Sequence, residues 1–228
     1  MSVNVDTVYQ RVLAILNKEQ RGYVTPQEFN LFANQAQLDL FEQYFYDINQ
    51  FGRMHGNDTE YSDMLNILNE KINIFETTAN LTYNGTVWTK PADLYRLGTV
   101  IYSGKEAERL NANELLYIQA SPLAKSTDAR PVFVGFSQGY KVYGGVELTT
   151  GVSCNYIKKP AIVEWAYVEV NGEALYNAAA STDFEMHPSE ETELVIKVLE
   201  LAGLAIKDMS IFQASTQMEM QNTQQEKS

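Results

Sequence analysis

Apolar side chains recur at helical spacing through the first 76 residues, alternate from residue 77, and return to helical spacing after residue 188. The pattern predicts an α+β chain: an N-terminal helical bundle with a long helix, a central antiparallel β region, a C-terminal helix and an extended tail. Between Val3 and Leu16, the positions Val5, Val8, Tyr9, Val12, Leu13, Ile15 and Leu16 define a first helix, expected to stop near Gly22. In the following "TPQEF", Thr25 is a helix cap, Pro26 suits the first helical position, and Glu28 stands where its carboxylate reaches back to the cap. A long helix is expected from there to the break at "FGRMHGND". Its stripe is Phe29, Phe32, Ala33, Ala36, Leu40, Tyr44, Phe45 and Ile48, widened by Leu31, Leu38, Phe41 and Tyr46. That is more apolar surface than one partner helix covers. A third helix, from about Thr59 to Phe75, uses Tyr61, Met64, Leu65, Leu68, Ile72 and Phe75.

The β region begins with "LTYNGTVW", an Asn-Gly turn between β-branched and aromatic residues that predicts a hairpin with Asn84 and Gly85 at positive φ. "RLGTVIY", "RPVFVGF", "YKVYG" and "VSCNYI" read as further strands, and residues 107–119 as a short inserted helix. In "SEETELVIKVLELAGLAI", Leu194, Val195, Val198, Leu201, Ala202 and Ala205 form a buried helical face, with Glu190, Glu191 and Glu193 near the positive end of the helix dipole. The expected parts are 1–76 (helical), 77–188 (β with the inserted helix), 189–208 (C-terminal helix packing on the helical part) and 209–228 (tail). The tail's last sixteen residues carry large apolar side chains only at Met218 and Met220, too few to offset the entropy of ordering it alone, so a partner is expected to hold it.

Charge and cysteine content narrow the function classes. Seventeen Lys and Arg against twenty-nine Asp and Glu give a net charge of −12, with no basic cluster, which disfavours binding to DNA phosphates or anionic lipid. The one cysteine, Cys154, excludes an internal disulfide and suits a reducing compartment such as the cytoplasm. Neither a signal peptide nor a membrane span is read from the sequence.

Candidate chemistry is sparse. Two histidines, His55 and His187, read as solvated loop residues rather than zinc ligands. Cys154 sits in a strand pattern and reads as a buried, inert thiol. Asp58, Glu60 and Asp63 lack the glycine and terminal glutamate of a calcium loop, and "YGGV" at 143–146 reads as a turn. No catalytic residue, metal ligand or cofactor is expected, and the chain is not expected to be an enzyme. Fourteen tyrosines suit either interfaces or strand cores. Trp88 and Trp165, beside a Tyr-rich β region, motivate an alternative: a non-enzymatic glycan- or protein-binding tail or surface module.

The segments "TKPADLYRLGTVIY", "ARPVFVGF", "NYIKKPAIVEWAY" and "DFEMHPSEETELVIKVLELAGLAIKD", in this order, resemble the neck and ring proteins of tailed bacteriophages, especially the crAss-like podovirus group. The resemblance is carried by Pro91, Asp93, Tyr95 and Arg96 before the strands, by Tyr156, Lys158 and Pro160 at a strand end, and by a helix ending in Ala-Gly before a Gln-rich tail. "YVTPQEFNLFANQAQLDLFEQYF" is similar to their long helix. The resemblance implies a virion structural protein of the portal–tail (head-to-tail) connector, assembled in the host bacterial cytoplasm. It implies a homo-oligomeric ring of about twelve copies. Implied partners are the portal protein and other neck and tail rings, with DNA passing through the lumen and no membrane involved. Interface residues expected on this basis are Phe29, Phe32, Phe41, Tyr44, Met218 and Met220.

Overall fold

The structure, a computed structural model, describes residues 2–18, 24–51, 59–206, 217–218 and 220–221. In chain order the first elements are helices α1 (Val5–Lys18), α2 (Pro26–Phe51) and α3 (Thr59–Asn73), then strands β1 (Glu76–Asn80), β2 (Trp88–Thr89), β3 (Leu94–Tyr102), β4 (Lys105–Glu106) and β5 (Glu108–Leu110). Helix α4 (Ala112–Ala120) precedes β6 (Val132–Gly135), β7 (Gly139–Tyr143), β8 (Val152–Lys158), β9 (Tyr167–Val170) and β10 (Glu173–Tyr176). A 3₁₀ turn, Pro188–Glu190, leads into α5 (Glu191–Ile206). The fold is α+β, as the periodicity predicts.

Two compact units divide the chain: Met1–Ile74 with Pro160–Ser228, and Phe75–Lys159. Of the stretch expected as one β region over 77–188, only the part up to Lys159 lies in the second unit, and 160–188, with the hairpin β9–β10, groups with the helices.

In the first unit the capping box at Thr25 forms as read from "TPQEF". Glu28 Oε2 accepts from the Thr25 amide at 2.9 Å and its hydroxyl at 2.8 Å, while Thr25 Oγ1 accepts from the Glu28 amide at 3.3 Å. The core draws Val5, Val8, Val12 and Leu16 from α1, Phe29, Ala33, Ala36, Leu40 and Phe41 from α2, and Leu194, Val198 and Ala202 from α5. Each large side chain so buried contributes about 1.5–3 kcal/mol of transfer free energy.

The link between α2 and residues 160–185 is polar. Asn34 donates from Nδ2 to the Val163 carbonyl at 2.8 Å and accepts the Val163 amide at Oδ1 at 2.9 Å. Asn30 does the same with Trp165, at 3.3 and 2.8 Å, and Gln37 donates to the Ala161 carbonyl at 2.8 Å while accepting the Glu185 amide at 3.1 Å. A primary amide offers one donor and one acceptor face, as a peptide unit does, so α2 treats this extended segment as a neighbouring strand would. On another side, Glu164 pairs with Thr182, and Phe184 pairs with Val3.

In the second unit two four-stranded sheets run in the orders β1–β8–β3–β4 and β2–β7–β6–β5. All pairs are antiparallel except β5 with β6. Val100, Val152, Cys154 and Tyr156 of the first sheet and Trp88, Phe133, Tyr140 and Val142 of the second form one buried core. The hairpin read from "LTYNGTVW" forms as a short one, with the Asn84 amide donating to the Val87 carbonyl at 3.1 Å and the Thr89 amide to the Thr82 carbonyl at 2.8 Å. Gly85 takes φ 93°, the Asn84 side chain accepts from the amides of Thr86 and Val87, and Tyr83 bridges Trp88. Asn84 is not at positive φ, and β1, just before this hairpin, pairs with β8.

Candidate functional site

Cys154 is fully buried, and desolvation pushes its thiol pKa up, away from the thiolate a nucleophile needs. His187 accepts the Ser189 amide at Nδ1 and caps the 3₁₀ turn. His55 and Asp58 lie outside the described residues. Among the described residues no three His, Cys, Asp or Glu side chains gather closely enough to hold a metal ion, and no helix is long and apolar enough to cross a membrane.

The acidic start of the last helix is tied down rather than left to the dipole. Glu190, 2% exposed, meets Lys71 Nζ at 2.6 Å, and Glu191 meets Arg11 at 2.7 Å. Lys71 also lies over the Tyr44 ring, 5.5 Å from its centroid. A buried carboxylate is tolerable with such a partner and costly without it.

Both tryptophans are 2% exposed. Trp88 donates Nε1–H to the Leu148 carbonyl at 3.0 Å, and Trp165 donates to Asp6 at 2.9 Å while stacking against Tyr167 and Tyr176. Their faces are spent inside the chain, so neither serves as a sugar platform.

Two of the segments quoted for the phage resemblance, "TKPADLYRLGTVIY" and "NYIKKPAIVEWAY", meet in space. The Tyr156 hydroxyl donates to Asp93 Oδ1 at 3.0 Å, and the Lys159 amide donates to the Asp93 carbonyl at 2.7 Å. Burial raises the Tyr156 pKa, with the hydrogen bond to Asp93 and the Asp93 charge adding to it. Tyr95 and Arg96 point outward.

Of the residues expected at an interface, Phe29, Phe41 and Tyr44 are buried in the chain's own core and Phe32 is half-buried, whereas Met218 and Met220 are exposed. The tail residues Gln217, Met218, Met220 and Gln221 are helical, where an extended tail was expected. Among the described side chains of α2, the large apolar ones open to a partner are Leu31, Leu38 and Tyr46.

Two further apolar surfaces escaped the sequence reading. Hairpin β9–β10 turns on Asn171 and Gly172, both at positive φ, so it twists as a two-residue turn allows. One of its faces presents Tyr167 and Tyr176 to Trp165, and the other exposes Val168, Val170 and Leu175. The signal was "YVEVNGEALY", a second Asn-Gly between alternating apolar residues. Helix α4 has no buried residue, with Tyr117 78% exposed and, just beyond it, Leu123 98% exposed. Neither a protein-family model nor a curated protein matches the chain.

Proposed function

We propose that the chain is a virion structural protein, a subunit of an oligomeric ring in the head-to-tail connector of a tailed bacteriophage, acting by assembly and not by catalysis. The order of the resembling segments motivates this reading. The observation that supports it best is the pair of unlike apolar surfaces, one on each unit: Val168, Val170 and Leu175 of the β9–β10 hairpin, and Leu116, Tyr117 and Leu123 at and after α4. Exposed apolar surface of this kind marks interaction sites. A ring closes through heterologous contacts, each subunit offering one patch to the neighbour on one side and a different patch to the other, so two unlike patches are what such a subunit requires.

A two-stranded hairpin is marginal in water by itself, and a neighbour covering its outer face would complete its burial. Net negative charge suits a wall past which DNA slides without sticking. The alternative glycan-binding module loses its motivating feature with the burial of both indoles.

The test is quantitative proteomics on DNA-filled particles purified from the native source by density gradient. A low, fixed ratio to the major capsid protein, about a dozen copies per particle, is the expected result for a closed ring. Recovery of the chain wholly in the soluble fraction refutes the assignment.

A further inference from the structure

A concavity of about 350 Å³ opens in the second unit, over the β2–β7–β6–β5 sheet. Its walls follow from strand register. Arg109 is paired with Phe133, Gly135 lies two residues further along the same strand, and Gly135 is paired with Tyr140, so all four stand on one face. Gly135 supplies depth: a Cβ at that position meets only Tyr140 Cδ1, at 4.0 Å, so any larger side chain there fills the space. Lys90 arches over the Tyr140 ring, with Nζ 5.4 Å from the centroid, and donates to the Ser137 carbonyl at 3.3 Å. Phe136 is partly exposed at the rim.

Three features set this place apart from a packing defect. No hydrogen bond or ion pair engages the Arg109 guanidinium among the described residues. Tyr140 is 4% exposed as a residue, and its hydroxyl has no hydrogen-bond partner among them either, so the O–H is available to a ligand in the concavity it lines. Burial raises the Tyr140 pKa, which keeps the O–H in place as a donor at neutral pH. Finally, in a chain of net charge −12, both charged residues lining the concavity are cations.

We propose that this concavity binds a carboxylate borne on an apolar stem, as an acidic side chain of a partner peptide presents it. Arg109 supplies a planar fork of donors matched to two carboxylate oxygens, the Tyr140 O–H supplies a neutral donor, and Lys90 supplies positive field. Phe133 and Phe136 receive the stem. Nucleic acid fits less well, because two cations on an acidic chain release few counterions and a 350 Å³ recess admits a side chain, not a backbone. The assignment does not depend on the ring reading.

Saturation-transfer NMR on the full chain tests it, with N-acetyl-Phe-Glu-amide as probe, N-acetyl-Phe-Gln-amide as its neutral counterpart and an oligothymidylate as the phosphate probe. The acidic peptide is expected to give a saturable signal that the neutral one lacks. Arg109→Gln should weaken it about tenfold or more, the scale of one lost charge-assisted pair, while Lys125→Gln on the open surface leaves it unchanged. Gly135→Val should abolish it by filling the floor without altering charge, with thermal melting confirming that both variants fold. Equal signals from the two peptides, no signal, or an Arg109-dependent response to the oligothymidylate alone overturns the proposal.

Discussion

Tyr156 and Asp93, 63 positions apart in sequence, share a 3.0 Å hydrogen bond that joins the end of β8 to the turn entering β3. Asp93 is exposed and can be rehydrated, so Tyr156→Phe should cost only about 0.5–1.5 kcal/mol in urea unfolding. Asp93→Asn keeps an acceptor and should cost less.

The same residue contributes to an alkaline limit. Tyr140, Tyr143 and Tyr156 have folded pKa values raised above the ordinary 10.0, and Cys154 is raised above 9.0, burial being the leading cause in each case. A raised folded pKa means that the unfolded chain loses its proton first. The associated stability is therefore complete below the unfolded values and is lost as pH climbs through the folded ones. Urea midpoints should fall between about pH 8 and pH 10.5, and Cys154→Ala should flatten the part of the decline that begins near pH 9.0.

Asn34 serves both backbone groups of Val163, so Asn34→Ala strands a part-buried donor and a part-buried acceptor at once. A loss of about 2–4 kcal/mol is expected. Asn49→Ala, which removes an exposed bond to the Phe45 carbonyl on the same helix, should stay within about 0.5 kcal/mol. Equal losses from the two would mean that the side-chain amides of α2 do not hold the 161–165 segment.

Glu28 is held below its ordinary pKa of 4.5 by hydrogen bonds from Thr25, the backbone one contributing most. A depressed folded pKa stabilises above the unfolded value and ceases to do so as pH falls through the folded one. Glu28→Gln should therefore lower the thermal midpoint near neutral pH, and the difference from the parent chain should shrink below pH 4.5.

Deleting residues 209–228 is expected to leave the cooperative melting of the remainder intact while abolishing incorporation into particles. Normal incorporation of the shortened chain would remove the tail from the assembly account.

Local chemistry made the helices legible. Thr25, Pro26 and Glu28 announce the start of α2 within four residues, and the alternating runs place β3, β6, β7 and β8. The boundary at Lys159 was hidden because what draws 161–165 away from the β region is a set of amides on α2, 124 to 135 positions earlier. Nothing near Val163 in sequence marks it as Asn34's partner. Helix α2 misled in another way: with apolar residues on several faces, periodicity does not say which of Phe41 and Leu38 goes inside, and the structure buries the former and exposes the latter. Arg109 and Tyr140 are each ordinary alone, and only the pairing of β5, β6 and β7 brings them to one recess.

Because Phe75–Lys159 interrupts the helical unit, the order of synthesis matters. The second unit is continuous and can close as soon as it has emerged from the ribosome. The first three helices emerge earlier, yet α5, which packs on α1 and α2, is not complete until Ile206. At ordinary elongation rates of about 5–20 residues per second the growing chain carries the apolar faces of Phe29, Leu40 and Phe41 without that cover for roughly 8 to 35 s, which makes this interval the natural point for chaperone capture or premature association.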